Sequence, residues 1–435
     1  MKKEKREYFP AVLVSLAFVI LILLSSCKKD NPVIPPVEPP PIVKDTLTIS
    51  VEGTTHRSIE LSIQSTINDS SLKIKLFRVF NSAETLIAEY PILATDTAII
   101  DDDNGNGLQL NTEYSYYAVT KDTTGETKDT SNQITARTLA ATSHNYTWQE
   151  YTIGNWQSTL YDVWGTDENN VWAVGTIIIN DTAYGALKWN GIEWKAVKKN
   201  GGSQAIYGFS NTDIWLAGGG IFQFNGNTWA ELTERYPVFN DNIPYTSVWG
   251  TSSNDMYFGS TRGKIIHWDG HNAQIAASGY QNPLHDLDGY TENFIVSVGT
   301  DLTPPSSTAF YDGSSWNNYS FVDNSYSLNS VSIVIPNEIY WGGEGIFRTL
   351  NGVFSRVFNS GYYVWDIDYN RSNGEIVSCG SFDGVYIFNG QDWTSYQGIA
   401  SNDHSSYSGI FLTGNTIFCV GSNNSQATII IGKVN

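Results

Sequence analysis

The sequence predicts an all-β protein in which a small sandwich of two sheets precedes an array of repeated four-stranded sheets. Three observations support this prediction. Apolar and polar residues alternate with a period of two over many short segments, which is the pattern of half-buried strands. Asn-Gly and Asp-Gly dipeptides recur between such segments, and they are typical of tight hairpin turns. All 14 tryptophans fall at or beyond residue 148, at regular intervals.

The composition excludes several classes of protein. The 435-residue chain carries 44 acidic and 25 basic residues, so its formal net charge is -19. A sequence-independent nucleic-acid binder needs a basic face, so we expect no nucleic-acid partner. Three cysteines are too few for a disulfide scaffold, and an apolar content of 41% is too high for a disordered chain.

Residues 1–26 have the features of a secretory signal peptide. Basic residues in 1–8 precede an apolar run at 11–24, which is too short for a membrane-spanning helix but suits a signal-peptide core. The run ends in Leu-Ser-Ser-Cys27, which resembles the lipobox of bacterial lipoproteins. The resemblance implies cleavage before Cys27, lipid attachment at Cys27 and an outer-membrane location, at either the cell surface or the periplasmic face. An uncleaved amphipathic anchor is the alternative.

Residues 27–43 are predicted to form a linker. Six of the 14 prolines lie within 32–41. Such a run favours extended polyproline II, which acts as a semi-rigid spacer between an anchor and a folded domain.

Residues 44–140 are predicted to form the sandwich. Strand-like alternation is clear at 47–51, 59–63 and 72–76, and seven or so short strands in this length are typical of two packed sheets. The stretch 107–116 resembles the fibronectin type III signature, in which Tyr114 is the corner tyrosine that hydrogen-bonds back to the preceding turn. Such modules are usually spacers or adhesive units.

One segment of this domain matches the pattern of a calcium-binding loop. Its candidate ligands are Asp102, Asn104, Asn106 and Glu113, whose oxygen atoms suit a hard cation. The flanks are predicted strands, however, so an acidic, glycine-rich turn without metal is the favoured interpretation. Calcium is the alternative, and no other cofactor is expected.

Residues 145–435 contain a repeat that predicts a β-propeller. Between Gly175 and Gly421 a glycine at the end of the second strand recurs in six steps averaging about 41 residues, within the range of propeller blades. Each repeat predicts four strands, with an Asn-Gly or Asp-Gly turn before the fourth and a tryptophan at its start. Seven blades are predicted; six blades, or a misassigned fourth repeat, is the alternative.

The last repeat lacks its outer strand, and an unmatched strand precedes the first repeat. We therefore predict that residues 146–153 pair with 428–433 and close the ring. A ring closed within one chain leaves no open edge for a partner, so a monomer is expected. The repeats resemble the tryptophan-rich propellers of secreted bacterial proteins.

No catalytic residue can be selected from the sequence, because nucleophile elbows, phosphate loops and zinc spacings are absent from it. Cys379 and Cys419 lie in adjacent repeats; buried free thiols are favoured over a disulfide. The predicted function is therefore binding of a glycan or protein ligand without catalysis. A glycan-acting hydrolase, with a carboxylate pair on the channel face, is the alternative.

The loops that join one outer strand to the next inner strand gather on one face of a propeller, and each of them carries tyrosine. Aromatic rings beside amides and carboxylates suit the stacking of sugars or the binding of a peptide. The candidate ligand-binding residues are Tyr236, Tyr245, Tyr280, Tyr326, Tyr362, Tyr363 and Tyr407. A structural role, in which each tyrosine caps its own blade, is the alternative for any one of them.

Overall fold

The computed structural model describes residues 46–92, 97–199, 201–239, 242–280, 282–300, 306–323, 325–400 and 405–435. The predicted signal peptide, the linker and Cys27 lie outside these residues. The described residues belong to one compact unit, Asp45–Asn435. Within them, strands and one short 3-10 helix make up the regular structure, and no helix is long and apolar enough to cross a membrane.

The first eight strands form two antiparallel sheets. The strands are β1 (Leu47–Thr54), β2 (Ile59–Ser65), β3 (Lys73–Phe80), β4 (Ala83–Pro91), β5 (Thr97–Asp101), β6 (Glu113–Lys121), β7 (Thr127–Thr130) and β8 (Ile134–Arg137). One sheet has the order β1-β2-β5, and the other has the order β4-β3-β6-β7 with β8 also paired to β6. Alternate residues of both sheets, such as Ile49 and Leu76, share one buried core.

Two polar contacts support this sandwich. The backbone N–H of Gln109 donates to the hydroxyl of Tyr114 at 3.0 Å, so the hydrogen bond predicted for Tyr114 is present. Arg78, which is 8% exposed, pairs with the buried carboxylate of Asp101 at 2.9 Å. Pairing matters here because a buried charge without a partner is strongly destabilising.

The remaining strands form seven four-stranded antiparallel sheets, which we call ring sheets 1 to 7. Ring sheet 1 contains β10 (Thr159–Asp167), β11 (Asn170–Ile179), β12 (Thr182–Trp189) and β13 (Trp194–Val197). Ring sheet 2 contains β14 (Ser203–Ser210), β15 (Asp213–Gly218), β16 (Ile221–Phe224) and β17 (Trp229–Glu231). Ring sheet 3 contains β18 (Tyr245–Ser252), β19 (Asp255–Ser260), β20 (Ile265–Trp268) and β21 (Ala273–Ala277), and the 3-10 helix Pro237–Phe239 precedes it.

Ring sheets 4 to 7 have the same layout. Ring sheet 4 contains β22 (Asp286–Thr291), β23 (Phe294–Gly299), β24 (Ser307–Tyr311) and β25 (Trp316–Asn318). Ring sheet 5 contains β26 (Leu328–Ile335), β27 (Glu338–Gly343), β28 (Gly345–Leu350) and β29 (Val353–Phe358). Ring sheet 6 contains β30 (Val364–Tyr369), β31 (Ile376–Gly380), β32 (Val385–Phe388) and β33 (Trp393–Tyr396). Ring sheet 7 contains β34 (Ser406–Thr413), β35 (Thr416–Asn423), β36 (Gln426–Val434) and β9 (Tyr146–Ile153).

The ring sheets form a closed circle. The first strand of each sheet, the inner strand, contacts the inner strand of the next sheet, and β34 contacts β10. The outer strand of ring sheet 7 is β9, which pairs antiparallel with β36 from Tyr146↔Val434 to Ile153↔Ala427. The predicted closing strand is therefore confirmed. It hydrogen-bonds an edge of β36 that would otherwise stay open to other chains.

Two tryptophans of the inner strands pack on glycines of the following sheet. The indole ring of Trp164 lies over Gly208 of ring sheet 2, and the indole ring of Trp249 lies over Gly289 of ring sheet 4. A side chain at either glycine would overlap the ring from the preceding sheet. Each of these two tryptophans therefore requires a glycine one repeat further along the chain.

The sandwich packs against the ring at the turns after the first and the third strands. The carboxylate of Asp102 accepts a hydrogen bond from the Asn351 side chain at 2.7 Å. The buried imidazole of His56 lies against Gly374 and Gly390, where an added Cβ would overlap it. These contacts place the sandwich on one face of the ring.

Replacing Gly289 with alanine is expected to destabilise the protein by about 1 to 3 kcal/mol, because the new methyl group overlaps the Trp249 indole and overpacks the contact. Gly219→Ala is the matched control, since nothing lies within 4 Å of a Cβ at Gly219. Equilibrium denaturation in urea measures both changes. Equal stability of the two variants would contradict the packing explanation.

Candidate functional site

The seven inner strands surround a central channel that opens on the face away from the sandwich. Near their starts, six of these strands each contain one extra residue relative to their partner strand, which is a β-bulge. Bulges redirect side chains, and the extra residues of these six strands line a cavity of about 420 Å³ at the opening. The residues, which we call the mouth residues, are Tyr161, Gln204, Thr246, Asn329, Trp365 and Ser408, together with His285, which directly precedes the inner strand of ring sheet 4.

Glycines at the end of the second strand permit these bulges. Added Cβ atoms at Gly343, Gly380 and Gly421 would overlap backbone carbonyl oxygens of the adjacent inner strand, just before its bulge. The backbone of the inner strand therefore passes closer to the second strand than any side chain would allow. The recurring glycine that reveals the repeat in the sequence thus has a direct part in shaping the mouth.

The mouth combines aromatic surface with neutral hydrogen-bonding groups. Tyr161 is 39% exposed, and Trp365 is half-buried with its indole N–H donating to Ser381 at 2.9 Å. The side-chain amide of Asn329 donates to the backbone carbonyl of Trp365 at 3.0 Å, which fixes its orientation. This arrangement offers two aromatic surfaces and several fixed polar groups to a ligand that lies across the opening.

Below the mouth, aspartates connect neighbouring inner strands. Asp162 accepts the backbone N–H of Val163 at 2.7 Å and that of Ile206, in the next ring sheet, at 2.8 Å. Asp286, Asp288 and Asp366 make the same pair of bonds, and Asp368 accepts the N–H of Leu412 in ring sheet 7. Each carboxylate satisfies edge N–H groups that would otherwise face the channel without a partner.

The aspartates of the channel are harder to ionise than aspartates in water. Burial raises the pKa of Asp162 and of Asp286 to about 7, and that of Asp368 to about 6. Burial and the nearby carboxylate of Asp286 also raise the pKa of Asp366. Hydrogen bonds from the backbone oppose these shifts, and each side chain keeps part of its surface open to the channel.

The structure disperses the seven tyrosines singled out in the sequence. Tyr245 and Tyr407 are 1% and 0% exposed, and they lie one residue before Thr246 and Ser408 of the mouth. Tyr363 lies 4.6 Å, centre to centre, from the ring of the mouth residue Trp365.

The other four tyrosines lie further from the opening. Tyr236 packs on Trp268 at 4.8 Å, Tyr326 on Phe347 at 4.6 Å and Tyr362 on Phe382 at 4.7 Å, and the Tyr280 hydroxyl donates to the Asn317 carbonyl. Their role in binding stays a prediction. The mouth residues themselves were missed, because a bulge is not visible in an alternation pattern; the recurring glycine opposite it is the available signal.

Asp102 and Glu113, two of the four candidate calcium ligands, make other polar contacts in the structure. Asp102 accepts the backbone N–H of Gly105 at 2.9 Å in addition to its bond with the ring, and Glu113 lies 3.6 Å from Arg137. Asn104 and Asn106 are exposed. The portion of the chain that the structure describes contains no group of three or more His, Cys, Asp or Glu side chains with the spacing of a metal site. Cys379 and Cys419 are buried free thiols.

Comparisons with known proteins show the fold. A solved structure described as YCF48 bound to D1 peptide has a TM-score of 0.52 and 14% identity, and the match covers 68% of this chain and 100% of that one. The WD40 beta propeller domain of Doa1 has a TM-score of 0.49 and 15% identity, with 66% and 96% covered. No protein-family model and no curated protein match the chain. The closed ring of four-stranded antiparallel sheets described above is itself the architecture of a β-propeller.

The channel aspartates predict that stability falls as the pH rises from 5 to 8. Their folded-state pKa values lie above the ordinary value of about 3.8, so the folded state binds their protons more tightly than the unfolded state does. This contribution is complete below pH 4 and is lost as the pH passes through about 7.

The measurement is the free energy of unfolding of Asp162→Asn at both pH values. We expect the fall between pH 5 and pH 8 to be smaller than in the wild type by about 1 to 3 kcal/mol. Asp312→Asn is the control, because hydrogen bonds from Ser314 and Ser315 lower the pKa of Asp312 to about 2 and keep it ionised throughout. If the free energy of unfolding of Asp162→Asn falls between pH 5 and pH 8 by as much as that of the wild type, the Asp162 carboxyl titrates as it does in water.

Proposed function

We propose that the chain is a lipid-anchored protein whose propeller binds a protein ligand across the mouth of its channel, without catalysis. The observation that carries this proposal is the set of bulges, which turns one side chain from each of six inner strands toward a single opening. A solved structure of similar fold is described as bound to a peptide, and this supports a peptide segment as the ligand.

The environment of the carboxylates favours binding over hydrolysis. A glycosidase needs one carboxyl group to donate a proton and another to attack or to activate water. In the channel, Asp162, Asp286 and Asp366 each accept two backbone N–H groups, one from their own strand and one from the next ring sheet. Movement of such a group toward a substrate would break contacts that hold the ring together.

The proposal assigns a role to each part of the chain. Lipid at Cys27 attaches the protein to the outer membrane, and residues 28–43 act as the spacer. The sandwich is a fibronectin type III-like module, an assignment supported by its two sheets and by the hydrogen bond to Tyr114. The ring is a seven-bladed propeller whose mouth lies on the face that the sandwich leaves free, and the protein acts as a monomer.

Changes at the mouth are expected to weaken ligand binding. Phage-displayed random peptides selected on the wild-type protein provide the probe. Trp365→Ala and Tyr161→Ala should each raise the Kd of the selected peptides about tenfold or more, because central aromatic residues dominate binding energy. Ile192→Ala is the control, since Ile192 is 83% exposed on a turn of the opposite face.

Equal binding by the three variants would place the ligand elsewhere and contradict the proposal. Retention of neutral oligosaccharides by the wild type, lost in Trp365→Ala, would identify a glycan as the ligand instead. Release of shortened oligosaccharides would favour the hydrolase. Thermal unfolding of each variant shows whether a loss of binding comes from a loss of structure.

Replacing Cys27 with serine is expected to release the protein from the membrane fraction, because serine has no thiol to carry the lipid. Cys379→Ala is the control; it changes a buried thiol of the ring and should leave the protein anchored. Fractionation of cells followed by immunoblotting measures the distribution. Persistent anchoring of Cys27→Ser would contradict the lipoprotein assignment.

A further inference from the structure

Below the mouth, the channel widens into a chamber of about 580 Å³ whose wall has two chemically different halves. One position of the inner strands distinguishes the two halves. In ring sheet 1 it is the position of Trp164, two residues after Asp162. Ring sheets 7, 1, 2 and 3 place Phe411, Trp164, Tyr207 and Trp249 there, whereas ring sheets 4, 5 and 6 place Asp288, Ser332 and Asp368 there. Four consecutive sheets are therefore aromatic, and the three opposite sheets are polar or acidic.

The charges of the channel are unbalanced. Five aspartates line it, and Arg371 is the single lysine or arginine among the described residues that line either cavity. Arg371 is exposed at the lower end, with its guanidinium 5.1 Å from the centre of the Tyr290 ring. Its charge lowers the pKa of Asp288 and of Asp368, against the larger effect of burial. One cation thus faces an excess of carboxyl groups.

The carboxylates retain capacity to accept further hydrogen bonds. Each carboxylate oxygen has two lone pairs, and the backbone N–H groups described above occupy about one of them on each oxygen. The side chains of Asp288 and Asp368 keep part of their surface open to the chamber. A cation that enters the chamber therefore finds acceptors without displacing the bonds that join the sheets.

We propose that the chamber binds one organic cation, a primary ammonium or guanidinium group carried on a short hydrocarbon chain. The charge lies between Asp288 and Asp368, and the hydrocarbon part packs against Trp164 and Tyr207 on the opposite wall. Aromatic faces attract cations, and enclosure by protein strengthens that attraction. The cation is either a free amine or a lysine or arginine side chain of a protein ligand, and both sources share this chemistry.

Isothermal titration of the purified protein with butylguanidinium tests the proposal. Butylurea, which has nearly the same shape and no charge, is the matched control ligand and should bind about tenfold more weakly or not at all. Arg371→Gln should tighten butylguanidinium binding about three- to tenfold at low salt, because it removes a competing positive charge. Asp368→Asn should weaken binding about tenfold, and Asp312→Asn, on an exposed turn, should not affect it.

Arg371→Gln keeps the test decisive if Asp368→Asn does not fold, because Arg371 is an exposed side chain. Equal binding of butylurea, or unchanged affinity in Arg371→Gln, would overturn the proposal. Binding of calcium alone, lost in Asp368→Asn, would also overturn it and assign the chamber to a metal.

Two peptides identify the source of the cation. The peptides are acetyl-Ala-Ala-Arg-Ala-Ala-amide and its counterpart with uncharged citrulline in place of arginine. If the arginine peptide binds, and neither the citrulline peptide nor butylguanidinium does, the result supports the proposal with a protein ligand as the source of the cation. Binding of butylguanidinium that survives Trp365→Ala supports a chamber that works independently of the mouth. This second outcome would support the chamber even if the peptide experiments show that the mouth binds no ligand.

Discussion

Each inner strand is the open edge of its sheet, and the ring depends on how those edges are satisfied. Edge N–H groups that point into a narrow channel need acceptors, and the opposite edges of the sheets face solvent. At three of the seven sheet-to-sheet junctions an aspartate supplies those acceptors, as Asp162 does for Val163 and Ile206. The same side chains that join the ring therefore place negative charge along its axis, so the structure and the chemistry of the channel have one origin.

The aromatic residues of the inner strands show a similar dual use. Trp164 and Trp249 cover glycines of the following sheets and thereby set the spacing of the ring. They also form one wall of the lower chamber, opposite Asp288 and Asp368. The position of Trp164 is occupied by an aromatic residue in some sheets and by aspartate in others. The residues that line the channel therefore give it two unlike walls.

The sequence allowed much of the fold to be predicted and little of the site. Periodic tryptophan, glycine and Asn-Gly turns indicated the repeats, and the unmatched strand at 146–153 indicated the closure, because these features follow from local geometry. The mouth depends on a shift of one residue. Tyr245 and Tyr407 are buried while their neighbours Thr246 and Ser408 face the opening. Alternation cannot reveal such a shift, and the convergence of aspartates from three distant repeats is a property of the closed ring alone.

The closing strand also determines when the ring becomes complete. Pairing of β9 with β36 joins Ile153 to Ala427 and Tyr146 to Val434, so the first and last parts of the propeller must meet. Contacts of such long sequence separation form slowly. During synthesis, β9 emerges early and stays unpaired until nearly the whole chain has followed. An unfinished propeller consequently carries an unpaired strand, and a chain that stops early has no means of protecting it.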